Sequence, residues 1–310
     1  MKPATRDIAL GASVEGEARD HHYVPRFLLR PWEVETAPKQ NNLIGYFWDH
    51  RTKALRRRIK GVAAFCKEQD LLMLGQRYAQ GGRDAIETSF FGHVDTKGAL
   101  ARDVIVTHGP GKLDGEQRCD FARVLLALEA RRPAIVSRLR TEIRAGFIAG
   151  LDSDPEILAE LAAKNIALRP SDYAEQQLGW SFEDRALAIV QRLTDSPDTG
   201  GHLINIPWGV KRLGPQDGRL VLSDRPLIRV LGMKHPKATW VLPLAPDVAF
   251  IGANDGGLVR TLMRLPGRKF TRLTNISSAT QADRFVFSTN GTRDSWVKSL
   301  RQNARSKAAS

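Results

Sequence analysis

The sequence predicts an α+β protein: short N-terminal strands, a central helical region of four to five helices, and a C-terminal, mainly antiparallel sheet. Three observations carry that prediction. The aromatic, β-branched run Leu43 to Trp48 has strand texture. From Arg83 the apolar residues recur at helical spacing. After Asp195-Ser-Pro-Asp-Thr-Gly-Gly201 the chain breaks into short apolar runs bounded by Gly, Pro or Asp. The order β, then α, then β favours segregated layers over a regular βαβ repeat.

Taken in turn, Asp49 to Lys53 would turn the first strand, and Ala54 to Ile59 would return as the second arm of a hairpin. Ile86, Phe90, Val94 and Gly98 line one helical face. Glu116 to Ala149 continues the helical pattern, interrupted at Pro133. That proline removes a backbone donor and predicts a kink or two helices meeting near Arg131-Arg132. Asp154-Pro155 reads as an N-cap followed by proline at the first helical position. Ser171 to Leu193 reads as one further helix. His202 to Val210, Arg219 to Leu222, Leu227 to Leu231, Thr239 to Leu242 and Val248 to Gly252 read as strands. Asp255-Gly256-Gly257 reads as a turn, Asn275 to Arg284 as a helix and Phe285 to Ser288 as a last strand.

The expected organisation is a disordered leader over 1–19, a single α+β domain over 20–290 and a basic tail over 291–310. The domain is helical over about 83–195 and β-rich over about 202–290. At 310 residues with 42% apolar and 26% charged side chains, the composition is that of a globular chain. The leader lacks an apolar h-region and no apolar run approaches the ~20 residues of a membrane span, so a cytoplasmic protein with no membrane partner is expected. Cys66 and Cys119 are too few and too far apart for a cysteine zinc site or a disulfide scaffold, and read as thiols in a reducing compartment. The formal charge of +13 raises affinity for polyanions, so nucleic acid is a candidate partner.

The segment Asp20-His21-His22-Tyr23-Val24-Pro25-Arg26-Phe27-Leu28-Leu29-Arg30 concentrates chemistry. Its His22-to-Leu29 part resembles the His-Tyr-Val-Pro-(Arg/Lys)-x-x-Leu box of a mostly bacterial domain-of-unknown-function family. Further boxes follow in the same order: Arg131-Arg132-Pro133, Leu222-Ser223-Asp224-Arg225-Pro226, Leu242-Pro243-Leu244-Ala245-Pro246, Asn275, and Ala282-Asp283-Arg284-Phe285-Val286. The resemblance spans some 260 residues and implies no activity. Arg225 stands where that family usually has Asn.

Five residues are candidates for chemistry. His22 can serve as general base or metal ligand near neutral pH; the alternative is an imidazole hydrogen-bonded in the core. Asp224, at a strand end, can hold a divalent metal or orient His22, or it can close an Asx-turn. Arg131 and Arg132 can neutralise phosphate or form a structural ion pair. Glu87 is a second candidate metal ligand or an arginine partner. Arg56, Arg57 and Arg58 lie in a basic run, Arg51 to Lys60, beside Tyr46, Phe47 and Trp48, a pattern that suits single-stranded nucleic acid or simply a solvated hairpin. No Gly-x-x-x-x-Gly-Lys-(Ser/Thr), His-Glu-x-x-His or Gly-x-Ser-x-Gly motif is present. Two functions therefore compete: a metal-assisted phosphodiesterase acting on nucleic acid, and a non-catalytic binding or sensor module of a bacterial stress or defence system.

Overall fold

The computed structural model describes residues 19–34, 41–49, 51–75, 82–290 and 297. The leader up to residue 18 and the tail apart from Val297 lie outside the described residues. In chain order the elements are β1 (Asp20–His22), α1 (Arg26–Leu29), β2 (Asn42–Asp49), β3 (Ala54–Gly61), β4 (Lys67–Gln69), α2 (Gly92–His108) and α3 (Gly115–Ala130). Then come α4 (Pro133–Ser153), α5 (Pro155–Ala163), α6 (Pro170–Gln176), α7 (Phe182–Thr194), α8 (Pro197–Asn205), β5 (Trp208–Arg212), β6 (Leu222–Ser223) and β7 (Ile228–Val230). The last are β8 (Thr239–Ala245), β9 (Val248–Ala253), α9 (Gly256–Arg264), α10 (Gly267–Gln281) and β10 (Phe285–Ser288). The fold is α+β, with helices in the middle and antiparallel strands after them. The described residues form two compact units: those within Met1–His21, Glu68–His93 and Ala130–Leu193 make the first, the other described residues the second.

The first unit is helical. Pro133 stands at the first position of α4, as the sequence demands, and Arg131-Arg132 separate that helix from the end of α3. The Asp154 carboxylate caps α5, accepting from the amides of Glu156 (2.9 Å) and Ile157 (3.3 Å). The amide and hydroxyl of Ser171 both donate to Asp152, at 2.8 and 3.0 Å, which ties the start of α6 to the end of α4. The helix expected over Ser171 to Leu193 is two helices, α6 and α7. Gly179 lies between them at φ +68°, a left-handed conformation that glycine adopts without steric cost. A π-helical turn, Ile86–Phe91, precedes α2.

The second unit carries two four-stranded antiparallel sheets, ordered β3-β2-β10-β6 and β5-β9-β8-β7. Side chains alternate across each strand. On one face of the first sheet Ile44, Tyr46 and Val286 pack with Val221 and with Ala279 and Ala282 at the end of α10. On the other face Phe65 meets Phe285 and Phe287 edge-on at 5.3 and 5.2 Å. Gly45 lies under that ring; a Cβ there would come 2.7 Å from Phe65 Cε1. The second sheet is covered by α9, whose Val259 and Met263 lie so close over Gly209 that a Cβ would meet them at 2.7 and 2.6 Å. His202 to Val210 is not one strand, because α8 runs to Asn205 and only then does β5 begin. Asp255-Gly256-Gly257 is more than a turn: Asp255 caps α9 by accepting from Gly257 N at 2.7 Å.

Candidate functional site

His22 and Asp224 belong to the second unit; Glu87, Arg131 and Arg132 belong to the first. In the second unit, His22, the last residue of β1, and Tyr23 after it enter the core. The amide of Tyr23 donates to the carbonyl of Cys66 at 2.9 Å, and the Tyr23 hydroxyl bonds the Cys66 sulfur. His22 is 6% exposed. Its Nε2 accepts from Arg26 Nε at 3.3 Å and lies 3.4 Å from the Ala63 carbonyl oxygen. One ring nitrogen cannot both accept and donate, and arginine only donates, so the assigned proton sits on Nδ1. His21, in the first unit, is fully buried, and its Nδ1 accepts from the Leu72 amide at 2.7 Å.

Asp224 follows β6 and is 2% exposed. Its own amide donates to the Phe285 carbonyl at 3.0 Å. Its two carboxylate oxygens accept from the amides of Asp283 (3.0 Å) and Arg284 (2.7 Å). The residue thus extends the β6–β10 ladder past the end of the strand, with side-chain oxygens in place of carbonyls. Asn275 does the same one layer away: Oδ1 accepts from Val221 N and Nδ2 donates to Arg219 O, both at 2.9 Å.

In the first unit both arginines are buried, Arg131 completely, with its guanidinium carbon 5.0 Å from the Phe91 ring centroid. Glu87 lies on the π-helical turn. Among the described residues no group of three or more His, Cys, Asp or Glu side chains is placed to hold a metal ion. Nor is any described helix long and apolar enough to cross a membrane.

The basic run forms β3, at the end of its sheet, and strand alternation divides it. Phe47 pairs with Arg56, Gly45 with Arg58 and Leu43 with Lys60, while Tyr46 pairs with Arg57. Arg56, Arg58 and Lys60 therefore share the Phe47 face, and Arg57 belongs to the opposite one. On the Phe47 face the Arg58 guanidinium lies 5.4 Å from the Phe47 ring and the Arg284 guanidinium 5.0 Å from the Phe285 ring. The two rings are themselves 6.0 Å apart. Arg56 is partly neutralised by Asp49 at 2.9 Å. Sequence reading placed Lys60 in the basic run and Arg284 in a family-like box but gave neither a role on this face; the two-residue strand period of β3 assigns the first to it, and only the β2–β10 pairing assigns the second.

A family model described as "Protein of unknown function (DUF4238)" matches residues 20–292. The chain belongs to that family. Comparison with curated proteins and with solved structures gives no match. In this DUF4238 chain four of the boxes that stand out in the sequence meet within one unit, around Tyr23, Cys66, Asp224, Asn275 and Arg284.

The electrostatics of that cluster are those of a closed core. Burial first, then the neighbouring Asp224 charge, pushes the Cys66 thiol well above its ordinary 9.0. Burial, then Cys66 and Asp224, raises the Tyr23 hydroxyl far above its ordinary 10.0. Since the thiolate is the reactive form, Cys66 is held inert. In the unfolded chain both groups ionise near their ordinary values. The stability they confer is complete below that range and is lost as pH rises through it. Melting temperature is expected to fall steadily above pH 9.0, and Cys66→Ala, which removes the more acidic of the two groups, to delay the fall. Parallel pH–melting curves for the two proteins would count against this coupling.

Proposed function

We propose that this DUF4238 protein binds single-stranded nucleic acid on the Phe47 face of β3, as a binding module without chemistry of its own. The observation that carries the reading is the Arg58–Phe47–Phe285–Arg284 row, extended by Lys60. Cations around the half-buried Phe47 ring, itself backed by the buried Phe285, suit a ligand held by phosphate contacts and by stacking on the Phe47 and guanidinium planes. Such a module would serve as the nucleic-acid sensor of a stress or defence system, and its ligand implies a cytoplasmic location. A metal-assisted phosphodiesterase built on His22, Asp224, Glu87 and Arg131 or Arg132 is the weaker reading. Asp224 already commits both oxygens to backbone amides, and the Nε2 of His22 is occupied by Arg26.

Binding of a mixed-sequence single strand, measured against salt, tests the proposal. Each phosphate contact contributes about 0.7 to the log–log salt slope. Replacing Arg58 and Lys60 with Ala is expected to lower the slope by about 1.4, whereas Arg57→Ala leaves it unchanged. Equal effects from both variants would mean a diffuse charge effect and no defined face. His22→Ala serves as the catalytic control. It is expected to lower the melting temperature while neither it nor the wild type cleaves DNA or RNA in Mg²⁺ or Mn²⁺. Wild-type cleavage abolished by a normally melting His22→Ala would instead favour the phosphodiesterase.

A further inference from the structure

We infer that α9 and α10 together form a second nucleic-acid contact, one that grips the phosphate backbone of a duplex without reading or stacking on its bases. The inference rests on nucleic acid being the ligand, but on a different surface and a different form of it. From Gly256 to Ala282 the chain contains no Asp or Glu, yet it carries Arg260, Arg264, Arg268, Lys269 and Arg272, all exposed. Elsewhere on the surface several arginines are matched with carboxylates: Arg19 with Asp70, Arg123 with Asp120 and Asp195, Arg169 with Asp172, Arg219 with Asp247. Among the described residues Arg260, Arg264, Lys269 and Arg272 make no such ion pair. A surface that leaves four cations uncompensated, in a chain that compensates others, projects a positive field toward solvent.

The scaffold beneath them is fixed, so little ordering is needed on binding. Val259 is buried over the second sheet, and Lys211 Nζ donates to the carbonyls of Met263 and Leu265, both at 2.7 Å, closing the end of α9. Asn275 and Phe270 anchor α10. Arg260 and Arg264 are one turn apart, about 6 Å along the axis. That is close to two phosphate steps of one DNA strand, roughly 3.4 Å each along its axis. Arg268 is partly committed, its Nε donating to Gln216 O at 3.0 Å.

Two features set the kind of partner. Phe270, the one aromatic residue of the run, is buried, so there is no platform for an unstacked base. Met263 and Leu273 are its large exposed apolar side chains. An anionic bilayer would demand a continuous exposed apolar face, which α9 instead turns onto the sheet. A regular double-stranded polyanion needs neither.

The test uses the full chain, a random-sequence DNA duplex and its separate strand. Arg260, Arg264, Lys269 and Arg272 are changed together to Gln. The expected result is a duplex salt slope lower by about 3.6, at ~0.9 per contact, and duplex affinity weakened more than about tenfold, with single-strand binding little changed. A companion Arg260→Lys, Arg264→Lys, Arg272→Lys variant keeps the charges and should keep the slope. An unchanged duplex slope in a Gln variant that melts like wild type would overturn the inference, as would a slope lost equally in the Lys variant. Loss of binding to phosphatidylserine vesicles with duplex binding intact would overturn it in favour of a membrane. Wild-type protein that binds the single strand and not the duplex defeats this inference alone; the reverse defeats only the β3 reading.

Discussion

Asp224→Ala is expected to lower the melting temperature by on the order of 10 °C and to make Cys66 alkylate at lower pH. The first effect follows from geometry. The substitution takes a carboxylate away from two backbone amides, at 3.0 and 2.7 Å, in a place with 2% exposure. Hydrogen bonds to an ionised acceptor are worth about 1.5–3 kcal/mol each, and donors left without a partner lose their solvation as well. A combined cost of about 3–5 kcal/mol, at ~2–4 °C per kcal/mol for a chain of this class, gives the stated shift. The second effect is electrostatic: removing the negative neighbour takes away one of the causes that hold the Cys66 thiol up. Asp224→Asn keeps an acceptor and should lose roughly half as much stability. Thermal unfolding and a pH series of thiol alkylation read the two effects separately. An Asp224→Ala protein that melts like wild type would show that the carboxylate is not a strut, and would return Asp224 to the list of groups available for chemistry.

Gly98→Ala should also destabilise, although alanine is the better helix former. A Cβ at Gly98 in α2 would fall far inside contact distance of Val124 Cγ2 in α3. Both positions are buried. The propensity gain is about 1 kcal/mol, while overpacking a filled core costs ~1–3 kcal/mol and more when the clash is this deep. The second term wins, and unfolding should move down by several degrees. Val124→Ala opens the space, so the double variant should be markedly more stable than the two single losses added together. Strict additivity, or a Gly98→Ala protein as stable as wild type, would count against the close α2–α3 approach.

The sequence was most legible where local chemistry and packing agree. Pro133 forced the break between α3 and α4, Asp154-Pro155 announced α5, and the β2–β3 hairpin and β10 lie where their aromatic and β-branched runs place them. It failed where tertiary contacts override propensity. Among the helices that escaped notice, α8 and α9 both carry adjacent glycines, Gly200-Gly201 and Gly256-Gly257, which disfavour a helix in isolation. α9 exists because Gly209 lets it settle onto β5. The candidate site was legible residue by residue and less so in its role. Boxes around Tyr23, Asp224, Asn275 and Arg284 were visible, but nothing local reveals that the Asp224 carboxylate stands in for ladder carbonyls and the Asn275 amide for both a carbonyl and an N–H. The triple Arg56-Arg57-Arg58 looked like one footprint because a linear reading ignores which way alternate residues point.

The pairing of β2 with β10 has a consequence for synthesis. Phe47 is aligned with Phe285 and Ile44 with Ser288, so the central ladder of the first sheet joins residues about three quarters of the chain apart. At ~5–20 residues per second a ribosome takes on the order of 10–50 s to travel from one partner to the other. During that interval the β2–β3 hairpin has emerged with the Ile44-to-Phe47 stretch of one edge of β2 vacant and its apolar faces uncovered. The arginines of β3 guard the outer edge against pairing with a neighbouring chain; the inner edge has no such guard until β10 arrives. The nascent protein is thus vulnerable to aggregation through most of its own translation, and its yield should depend on elongation rate and on chaperones that shield β2.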